Sequence, residues 1–435
     1  MHLKFDVRFD TIKPKGVLMR LKTFPGGVHP PDEKKYSASV PIVDIPIPQK
    51  VTIHLSQHIG SPSKPIVSVG DEVLTGQKIA ESTGFVSLNQ HSSISGKVTA
   101  IGNFANATGS NSMAIQITGD GLDKWIELTD EPNFIDLPLE EMKKRIGEAG
   151  ICGMGGAGFP TLVKLSPPDD KPIDTVILNG VECEPYLTSD HRLMLEKTAE
   201  IVLGMKLIMK ILGAQKGMIG IEANKPDAIA KMQEITKNEP AIEVVPLQLR
   251  YPQGAEKQLI YAATKRKVPA GGLPMAVGVV VQNVATAFAI YEAIRYQKPL
   301  VQRVITVTGS PVVSPKNIMA RIGTPLSELI EFCGGTSEEV GKVICGGPMM
   351  GFALPSLEAT IGKGSGGLVL LNKKAASLNE EGNCLRCARC VDVCPMNLVP
   401  CMIVSAIKYN NLDLAVKSGL NDCIKCGACA YVCPA

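Results

Sequence analysis

The residues best suited to chemistry are eight cysteines near the C-terminus, which form two runs of identical spacing. The runs are Cys384-x2-Cys387-x2-Cys390-x3-Cys394-Pro395 and Cys423-x2-Cys426-x2-Cys429-x3-Cys433-Pro434. Three thiolates from one tight turn suit three corners of a four-iron cubane, and the fourth cysteine of each run then ligates the other cluster. We therefore expect two [4Fe-4S] clusters, one bound by Cys384, Cys387, Cys390 and Cys433, the other by Cys423, Cys426, Cys429 and Cys394.

A zinc site is the alternative interpretation of these cysteines. Zinc takes four ligands, however, and does not require two copies of a three-cysteine turn followed by Cys-Pro. The first residues have no apolar core of a signal peptide, so the spacing favours metal over disulfides. The other cysteines lack ligand spacing and are expected to be packing or incidental residues: Cys152, Cys183, Cys333, Cys345 and Cys401.

A second candidate site begins at the glycine-rich loop Gly153-Met-Gly-Gly-Ala-Gly-Phe-Pro-Thr161, with Lys164 three residues beyond it. The loop alone is a weak signal, because glycine also serves any sharp turn. Three further segments map to the same edge of a predicted parallel sheet, where a phosphate would meet backbone N–H groups, a lysine and a helix N-terminus. They are Asn179-Gly-Val-Glu-Cys-Glu-Pro185, Tyr251-Pro-Gln-Gly-Ala-Glu256 and Val281-Gln-Asn-Val-Ala-Thr286.

The elements that must position this site alternate between short apolar runs and helical patterns. Such βα repeats predict a parallel sheet covered by helices. The predicted strands are Ile173 to Leu178, Met218 to Ile221, Ile242 to Val245 and Val277 to Val281. The predicted helices are Asp190 to Leu212 (capped by Ser189 or Asp190), Pro226 to Lys237, Gly254 to Lys265 and Val284 to Tyr296.

The flanking regions predict three further domains. From Pro41 to Gly119, glycine-punctuated β runs resemble the barrel-sandwich of biotinyl and lipoyl carrier domains, but the stretch Ser82 to Leu88 lacks the carrier lysine. Strand, helix and strand patterns between Arg303 and Gly347 indicate a small β-grasp domain. A glycine-rich link and the polar stretch Asn372 to Asn383 lead to the cysteine runs, which a short helix from Val399 to Tyr409 separates.

The predicted fold class is therefore multidomain α/β, with four domains in a chain of 435 residues. The expected order is a β barrel-sandwich domain (1–121), a Rossmann-like parallel-sheet domain (122–299), a β-grasp domain (300–372) and an α-helical two-cluster ferredoxin domain (373–435).

Composition argues against two classes of partner. Lys+Arg 45 against Asp+Glu 42 gives a net charge of +3, and aromatics make up only 4%, so nucleic acid is not an expected partner. No window reaches the ~18–20 uninterrupted apolar residues of a spanning helix. The nearest window, Met275 to Ile294, is interrupted by polar residues. We expect a cytoplasmic chain with no transmembrane segment of its own.

The glycine loop, the Glu-x-Glu-Pro segment, the Tyr-x-x-Gly-x-Glu segment and the Asn-Val-x-Thr segment resemble those of the FMN- and NADH-binding flavoprotein subunit of respiratory complex I. The four-domain order resembles the family of C subunits of Rnf-type (Rnf/Rsx) ion-translocating oxidoreductases. This resemblance implies FMN binding by Gly153, Gly155, Gly156, Lys164, Asn179, Glu182, Gly254 and Asn283. It further implies that Phe159 and Glu184 contact NAD(H).

The resemblance also implies an electron route from NADH through FMN and the two clusters to a partner, with no catalytic acid or base. The expected activity is that of an NAD–ferredoxin oxidoreductase subunit in a complex that translocates Na⁺ or H⁺. Its implied partners are integral-membrane and iron-sulfur subunits, with ferredoxin an indirect one, and its implied place is peripheral, on the cytoplasmic face of the inner membrane. The chain stops two residues after Cys433, where a further helix is expected, so a shortened form is an expectation too.

Two other functions stay open at this point. One is a soluble flavin and iron-sulfur reductase similar to the cobalamin reductase of bacterial microcompartments. The other is a non-enzymatic relay in which only the clusters conduct electrons. The relay is motivated by three departures from the complex I pattern: Met154 stands in place of an arginine, Val181 in place of an aspartate and Ala255 in place of a glutamate.

Overall fold

The computed structural model describes residues 11–12, 19–378 and 380–435. The first residues of the predicted barrel-sandwich domain, and Asn379 of the predicted polar stretch, lie outside the described residues. The described chain contains parallel, antiparallel and mixed sheets together with helices, so the mixed α/β class is confirmed.

The strands of the described chain are short on average and fall into five sheets. In chain order they are β1 (Thr11–Ile12), β2 (Met19–Arg20), β3 (Ile42–Asp44), β4 (Lys50–His54), β5 (Lys64–Pro65), β6 (Glu72–Val73), β7 (Lys78–Glu81), β8 (Gln90–His91), β9 (Gly96–Ala105), β10 (Asn111–Gly119), β11 (Thr175–Asn179), β12 (Lys216–Glu222), β13 (Ile242–Leu247), β14 (Val279–Asn283), β15 (Gln302–Thr308), β16 (Lys316–Arg321), β17 (Val340–Cys345), β18 (Phe352–Ala353) and β19 (Gly367–Asn372).

Most of the helices lie in the second half of the chain. They are α1 (Leu139–Glu148), α2 (Thr161–Lys164), α3 (Ser189–Glu196), α4 (Thr198–Leu212), α5 (Pro226–Ile235), α6 (Glu256–Thr264), α7 (Val284–Tyr296), α8 (Leu326–Phe332), α9 (Lys373–Ala376), α10 (Arg389–Asp392), α11 (Pro400–Lys408), α12 (Leu412–Lys417) and α13 (Ala428–Tyr431). Short 3-10 helices occupy Lys34–Tyr36, Phe134–Asp136, Pro274–Val277 and Leu420–Asp422.

The N-terminal region is built from two antiparallel sheets, in the orders β4-β10-β9-β6 and β5-β7-β8. Apolar side chains of β4 and β10, among them Val51, Ile53 and Ile115, are fully buried. The stretch Ser82 to Leu88, which lacks the carrier lysine, joins the antiparallel pair β7 and β8. Residues 21–37 do not belong to these sheets, since Val28 pairs with Tyr251 far along the chain.

The second region contains the predicted parallel sheet, in the order β13-β12-β11-β14. The central residues of its strands are mainly apolar and buried because helices cover both faces, which is typical of parallel sheets. The helix from Val284 to Tyr296 is confirmed. The single helix from Asp190 to Leu212 is wrong, because Lys197 (φ −127°, ψ 37°) interrupts the helical backbone between α3 and α4.

A mixed six-stranded sheet, in the order β18-β17-β19-β15-β16-β3, forms the third region. Helix α8 covers it, with Leu326 and Leu329 fully buried. Its edge strand β3 comes from residues 42–44 and pairs in parallel with β16. Residues 21–54 therefore contribute to three regions of the structure. The pairing of β3 with β16 joins residues far apart in the sequence, so local sequence patterns do not predict it.

The cysteine-rich end is helical. Helices α10 and α13 each contain the third cysteine of one run, and α11 and α12 lie between the runs. The helix predicted from Val399 to Tyr409 is confirmed as α11. Val393 accepts a hydrogen bond from the amide of Gly27 at 2.8 Å, and the side chain of Gln258 donates to the carbonyl of Pro395 at 3.2 Å. The cluster region thus packs on the parallel-sheet region. Across the described ranges, no helix combines the length and apolar character required to cross a membrane.

Candidate functional site

The candidate site lies at the carboxyl edge of the parallel sheet, where β11 ends at Asn179 and β14 ends at Asn283. These residues are register partners on adjacent strands. Asn283 caps α7, because its Oδ1 accepts from the amide of Ala285 at 2.8 Å. Asn179 donates through Nδ2 to the carbonyl of Gly254 at 2.8 Å. Two of the predicted contact residues are therefore neighbours, and a third is bonded to one of them.

The glycine-rich loop is closed by a hydrogen bond between its own residues and contacts α7 through a second one. The amide of Gly153 donates to the carbonyl of Phe159 at 2.8 Å, and the amide of Met154 donates to Oγ1 of Thr286 at 2.9 Å. Gly155 lies so close to Asn283 that an added Cβ would stand 3.3 Å from the Asn283 Cβ. Gly156 has φ +108°, which favours glycine. Phe159 is half-buried, next to the loop.

Glu182 is buried and caps a helix. Its carboxylate accepts from the amide of Asp190 at 2.7 Å and from the amide of His191 at 3.3 Å, at the first turn of α3. Lys34 Nζ stands 3.9 Å from the same carboxylate. The prediction that Ser189 or Asp190 caps this helix is therefore wrong, since the cap comes from a residue seven positions upstream. Anionic charge at a helix N-terminus is favourable.

Glu184 is half-buried between the parallel-sheet region and the mixed-sheet region, with its carboxyl oxygen Oε1 enclosed. Its Oε2 accepts from the amide of Met349 at 3.0 Å, whereas Oε1 has no partner among the described residues. Burial raises the pKa of Glu184 to about 7. The carboxyl therefore titrates near neutral pH, in a place where an unsatisfied acceptor is costly.

Lys164 and Gly254 complete the predicted contact set. Lys164 ends α2 and forms an ion pair with Glu256 at 2.6 Å, at the first residue of α6. Gly254 donates its amide to Sγ of Cys183 at 3.3 Å, and an added Cβ would stand 3.2 Å from that sulfur. Every predicted FMN or NAD(H) residue therefore lies on the loop, on this sheet edge, or on a helix next to it.

The three residues that depart from the complex I pattern do not open a gap in the site. Met154 and Val181 are buried, with side chains that pack in the hydrophobic core. Ala255 precedes α6 in extended conformation. The backbone at these positions still makes ordered contacts, because Val181 donates its amide to Oδ1 of Asn179 at 3.2 Å.

Four cysteines are brought together against the parallel-sheet region. Burial raises the pKa values of Cys426 and Cys429, and the nearby thiols of Cys394 and Cys423 add to both shifts. Cys426 and Cys394 are buried. These four are the predicted ligands of the second cluster, and we call them the inner set.

The other predicted ligands, the outer set, are Cys384, Cys387, Cys390 and Cys433. Three of them are exposed and Cys390 is half-buried. Burial raises the pKa of Cys390, and the neighbouring thiol of Cys401 raises it further. Gly382 lies near Ala435, which draws the start of the first run towards the end of the second. Of the remaining cysteines, Cys152, Cys333 and Cys345 are buried as expected.

No three His, Cys, Asp or Glu side chains in the described chain converge closely enough to hold a single metal ion. The thiolates of a cubane bind four different irons. The cysteines of a cluster therefore need not converge as closely as the ligands of a single metal ion.

Sequence reasoning missed three residues that support the site. Asp190 accepts from Asn283 Nδ2 at 2.6 Å, and burial together with the charge of Glu182 raises the pKa of Asp190. Arg303 donates to the carbonyl of Met154 at 3.3 Å and to that of Lys363. Tyr251 donates its hydroxyl to the carbonyl of Cys426 at 2.8 Å. Tyr251 opens a segment that the sequence singled out for the site, whereas Asp190 and Arg303 were noted only as parts of predicted elements.

The residues present fit a flavin nucleotide. Within the described chain, the amides of Gly155, Gly156 and Ala157 have no protein partner, and these residues are exposed. Glu184 contributes an orphaned buried oxygen. At Gly155 and Gly254 an added Cβ would crowd the neighbouring side chains. Free amides, a lysine and a helix N-terminus form a donor set that suits a phosphate.

Comparison with known proteins divides the chain into four matches to family models. Residues 22–122 match the RnfC barrel sandwich hybrid domain, and residues 146–292 match the Nuo51 FMN-binding domain. Residues 304–353 match the SLBB domain, and residues 377–434 match the 4Fe-4S dicluster domain. By fold and site the chain is an iron-sulfur flavoprotein, with domains for FMN and for two [4Fe-4S] clusters.

The chain belongs to the RnfC family, the C subunits of ion-translocating ferredoxin:NAD(+) oxidoreductase complexes. The C subunit of the proton-translocating complex of Clostridium ljungdahlii is 51% identical over 384 residues, which cover 88% of this chain and 84% of the relative. Its counterpart in the Na(+)-translocating complex of Acetobacterium woodii is 46% identical over 393 residues, covering 90% and 88%. The counterpart in the ion-translocating complex of Pseudomonas aeruginosa is 42% identical over 386 residues, covering 87% and 49%.

Among solved structures, an NAD+-reducing [NiFe]-hydrogenase in the air-oxidized state aligns with a TM-score of 0.47 and 22% identity. That alignment covers 56% of this chain and 48% of the hydrogenase chain.

Proposed function

We propose that this protein is the NADH-oxidising or NAD-reducing electron-transfer subunit of an Rnf complex that couples NAD–ferredoxin electron transfer to Na⁺ or H⁺ translocation. The observation that carries the proposal is the packing of the inner cysteine set against the sheet edge that bears the flavin-site residues. Its relatives are named as the C subunits of such complexes. When bound, FMN accepts two electrons together and releases them singly, while each cluster carries one.

The chain's own residues bind and orient the cofactors. Gly155 and Gly156 offer backbone amides, Gly153 closes the loop through its bond to Phe159, and Lys164 offers a cation. The flavin site would be bounded at the sheet edge by Asn179, Glu182, Gly254 and Asn283. Phe159 and Glu184 would contact the dinucleotide when it is bound, and the Glu184 carboxyl can hold or release a proton near neutral pH because burial raises its pKa to about 7. The eight cysteines bind the clusters in the inner and outer sets defined above.

The finer fold assignments are part of the same proposal. We assign a Rossmann-like fold to the four-stranded parallel sheet and a β-grasp fold to the mixed sheet. The proposed domains are 1–121, 122–299, 300–372 and 373–435, with β3 contributed by the first domain to the third. The mixed order of the six-stranded sheet supports this division.

The partners follow from the family. We propose that integral-membrane and iron-sulfur subunits of the complex hold this chain at the cytoplasmic face of the membrane and pass electrons to or from ferredoxin. A soluble reductase similar to cobalamin reductase should leave the membrane in low-salt washes. Co-purification with membranes, lost only on detergent or high salt, supports the Rnf assignment.

The first experiment is anaerobic purification, with visible spectra and flavin extraction before and after NADH addition. We expect about one FMN per chain, and bleaching of both flavin and cluster absorption by NADH. Clusters that stay oxidised with NADH and added FMN would overturn the proposal in favour of the relay. Dithionite serves as the control that the clusters are present and reducible.

A further inference from the structure

The two predicted clusters differ in whether packed residues connect their ligands to the flavin site. The inner set contains the two buried ligand cysteines, Cys394 and Cys426. Cys426 belongs to one buried group with Val28 and Tyr251, against which Cys183 packs. Cys183 in turn contacts Gly254, one of the proposed flavin residues. An unbroken path of packed atoms therefore leads from the flavin site to the inner set.

Tyr251 lies in the middle of this path. Only 2% of its surface is exposed, and its hydroxyl donates to the carbonyl of the ligand residue Cys426 at 2.8 Å. The bonds of Gly27 to Val393 and of Gln258 to Pro395 hold the fourth inner ligand, Cys394, against the same surface.

The outer set has no such path. Three of its four cysteines are exposed, and the fourth, Cys390, neighbours Cys401 on α11 within the cluster region itself. Within the described chain, none of the outer cysteines forms a hydrogen bond with the parallel-sheet region. The exposure of the outer set suits exchange with another protein.

We propose that the inner set (Cys394, Cys423, Cys426, Cys429) binds the cluster that exchanges electrons with the flavin, that the outer set binds the outlet cluster, and that Tyr251 is a positioning residue for the inner cluster. This inference rests on the proposed function. The electrons balance: NADH becomes NAD⁺ with loss of two electrons and one proton, and two oxidised clusters take up one electron each. In the reverse direction the same order runs backwards.

Tyr251 acts on the cluster through the Cys426 peptide. Its O–H dipole places partial positive charge beside the cluster, which stabilises the more negative, reduced state. Loss of the hydroxyl should therefore move the midpoint potential of the inner cluster to a more negative value. The outer cluster should keep its potential, because no hydrogen bond among the described residues joins Tyr251 to its ligands.

The order is tested with a matched pair, Cys423→Ser and Cys384→Ser. Each removes the first, exposed cysteine of one run. Freeze-quench EPR measures how fast NADH reduces each surviving cluster. In Cys384→Ser, NADH should reduce the surviving inner cluster at close to the wild-type rate. In Cys423→Ser, NADH should bleach the flavin, while reduction of the surviving outer cluster falls at least about 100-fold. Dithionite must reduce the surviving cluster in both. The opposite pattern, or equal rates, overturns the order.

Tyr251→Phe keeps the ring and removes the hydroxyl. It tests the proposal even if a serine variant loses both clusters. EPR redox titration should show a negative shift of the signal that NADH reduces first and no shift of the other. Tyr409→Phe, an exposed tyrosine at the end of α11, is the control and should shift neither. An unchanged first signal, or a shift of the other one, refutes the role of Tyr251. Failure of NADH to reduce wild-type flavin would refute the proposed function instead.

Discussion

At the scale of single residues, the cysteine spacing alone predicted eight candidate ligands, and four of them converge in the structure. Asp190, Arg303 and Tyr251 could not be predicted in the same way. Their partners Asn283, Met154 and Cys426 lie 93, 149 and 175 positions away along the chain. Motifs record local spacing, whereas these bonds join residues that only the folded chain brings together.

Glu184 should make the stability of the protein depend on pH. The pKa of this carboxyl is about 7 in the folded protein, against 4.5 ordinarily. Between those values the unfolded chain has lost the proton and the folded chain keeps it, so stability falls as pH rises from 4.5 to 7 and stays lower above. Glu184→Gln should remove on the order of 2 kcal/mol of this dependence. The measurement is thermal unfolding at pH 5.5 and 8.

The control for that experiment is Glu358→Gln, an exposed carboxylate in the mixed-sheet region. It should leave the difference between the two pH values as in the wild type. An equal pH dependence in Glu184→Gln and the wild type would show that the buried carboxyl does not titrate in this range.

Gly155→Ala should weaken FMN binding while the fold is retained. The added Cβ would stand 3.3 Å from the Cβ and 3.6 Å from the Nδ2 of Asn283, so this residue would have to shift. We expect about tenfold weaker binding, or ~1.4 kcal/mol, measured by quenching of flavin fluorescence. Gly84→Ala is the control, because its Cβ would meet nothing within 4 Å. Unchanged affinity in Gly155→Ala would place the flavin elsewhere.

At the scale of elements, sequence patterns located the helices and strands around the site but not their ends or caps. Helix α7 and the parallel strands follow from apolar periodicity. The break at Lys197 and the cap of α3 do not, since the cap is the carboxylate of Glu182, which has φ 48° on a connection after β11. Strand β3 was missed because its partner β16 lies over 270 positions away.

Glu182→Ala should destabilise the protein by removing this cap. The amides of Asp190 and His191 lose their acceptor, which costs about 1 kcal/mol, and the buried ammonium of Lys34 loses its nearest carboxylate. We expect a total loss of roughly 2–4 kcal/mol in urea unfolding. Glu239→Ala, which removes a surface pair with Lys206, should cost under about 1 kcal/mol. Equal effects of the two variants would refute the capping role.

At the scale of the whole molecule, three regions meet at the glycine-rich segment 362–367, which the sequence presented only as a link. Lys363 is buried, and its Nζ donates to the carbonyl of Asn89 at 3.0 Å and to that of Gly150 at 2.7 Å. Burial lowers the pKa of Lys363 to about 8. Composition indicated nothing more than a connection here, but long-range bonds from one lysine fix the segment against the N-terminal and parallel-sheet regions.

The segment 362–367 should therefore exchange its amide hydrogens slowly, although it is rich in glycine. Lys363 and Ser365 are buried, whereas residues 380–389 are exposed and largely without regular structure. Hydrogen exchange read by mass spectrometry should show protection of the first segment and rapid exchange of the second. Lys363→Met leaves two buried carbonyls without a donor, so exchange in 362–367 should accelerate, while Lys374→Met, an exposed lysine, should change nothing. If 362–367 exchanges as fast as 380–389 in the wild type, Lys363 does not hold these three regions together.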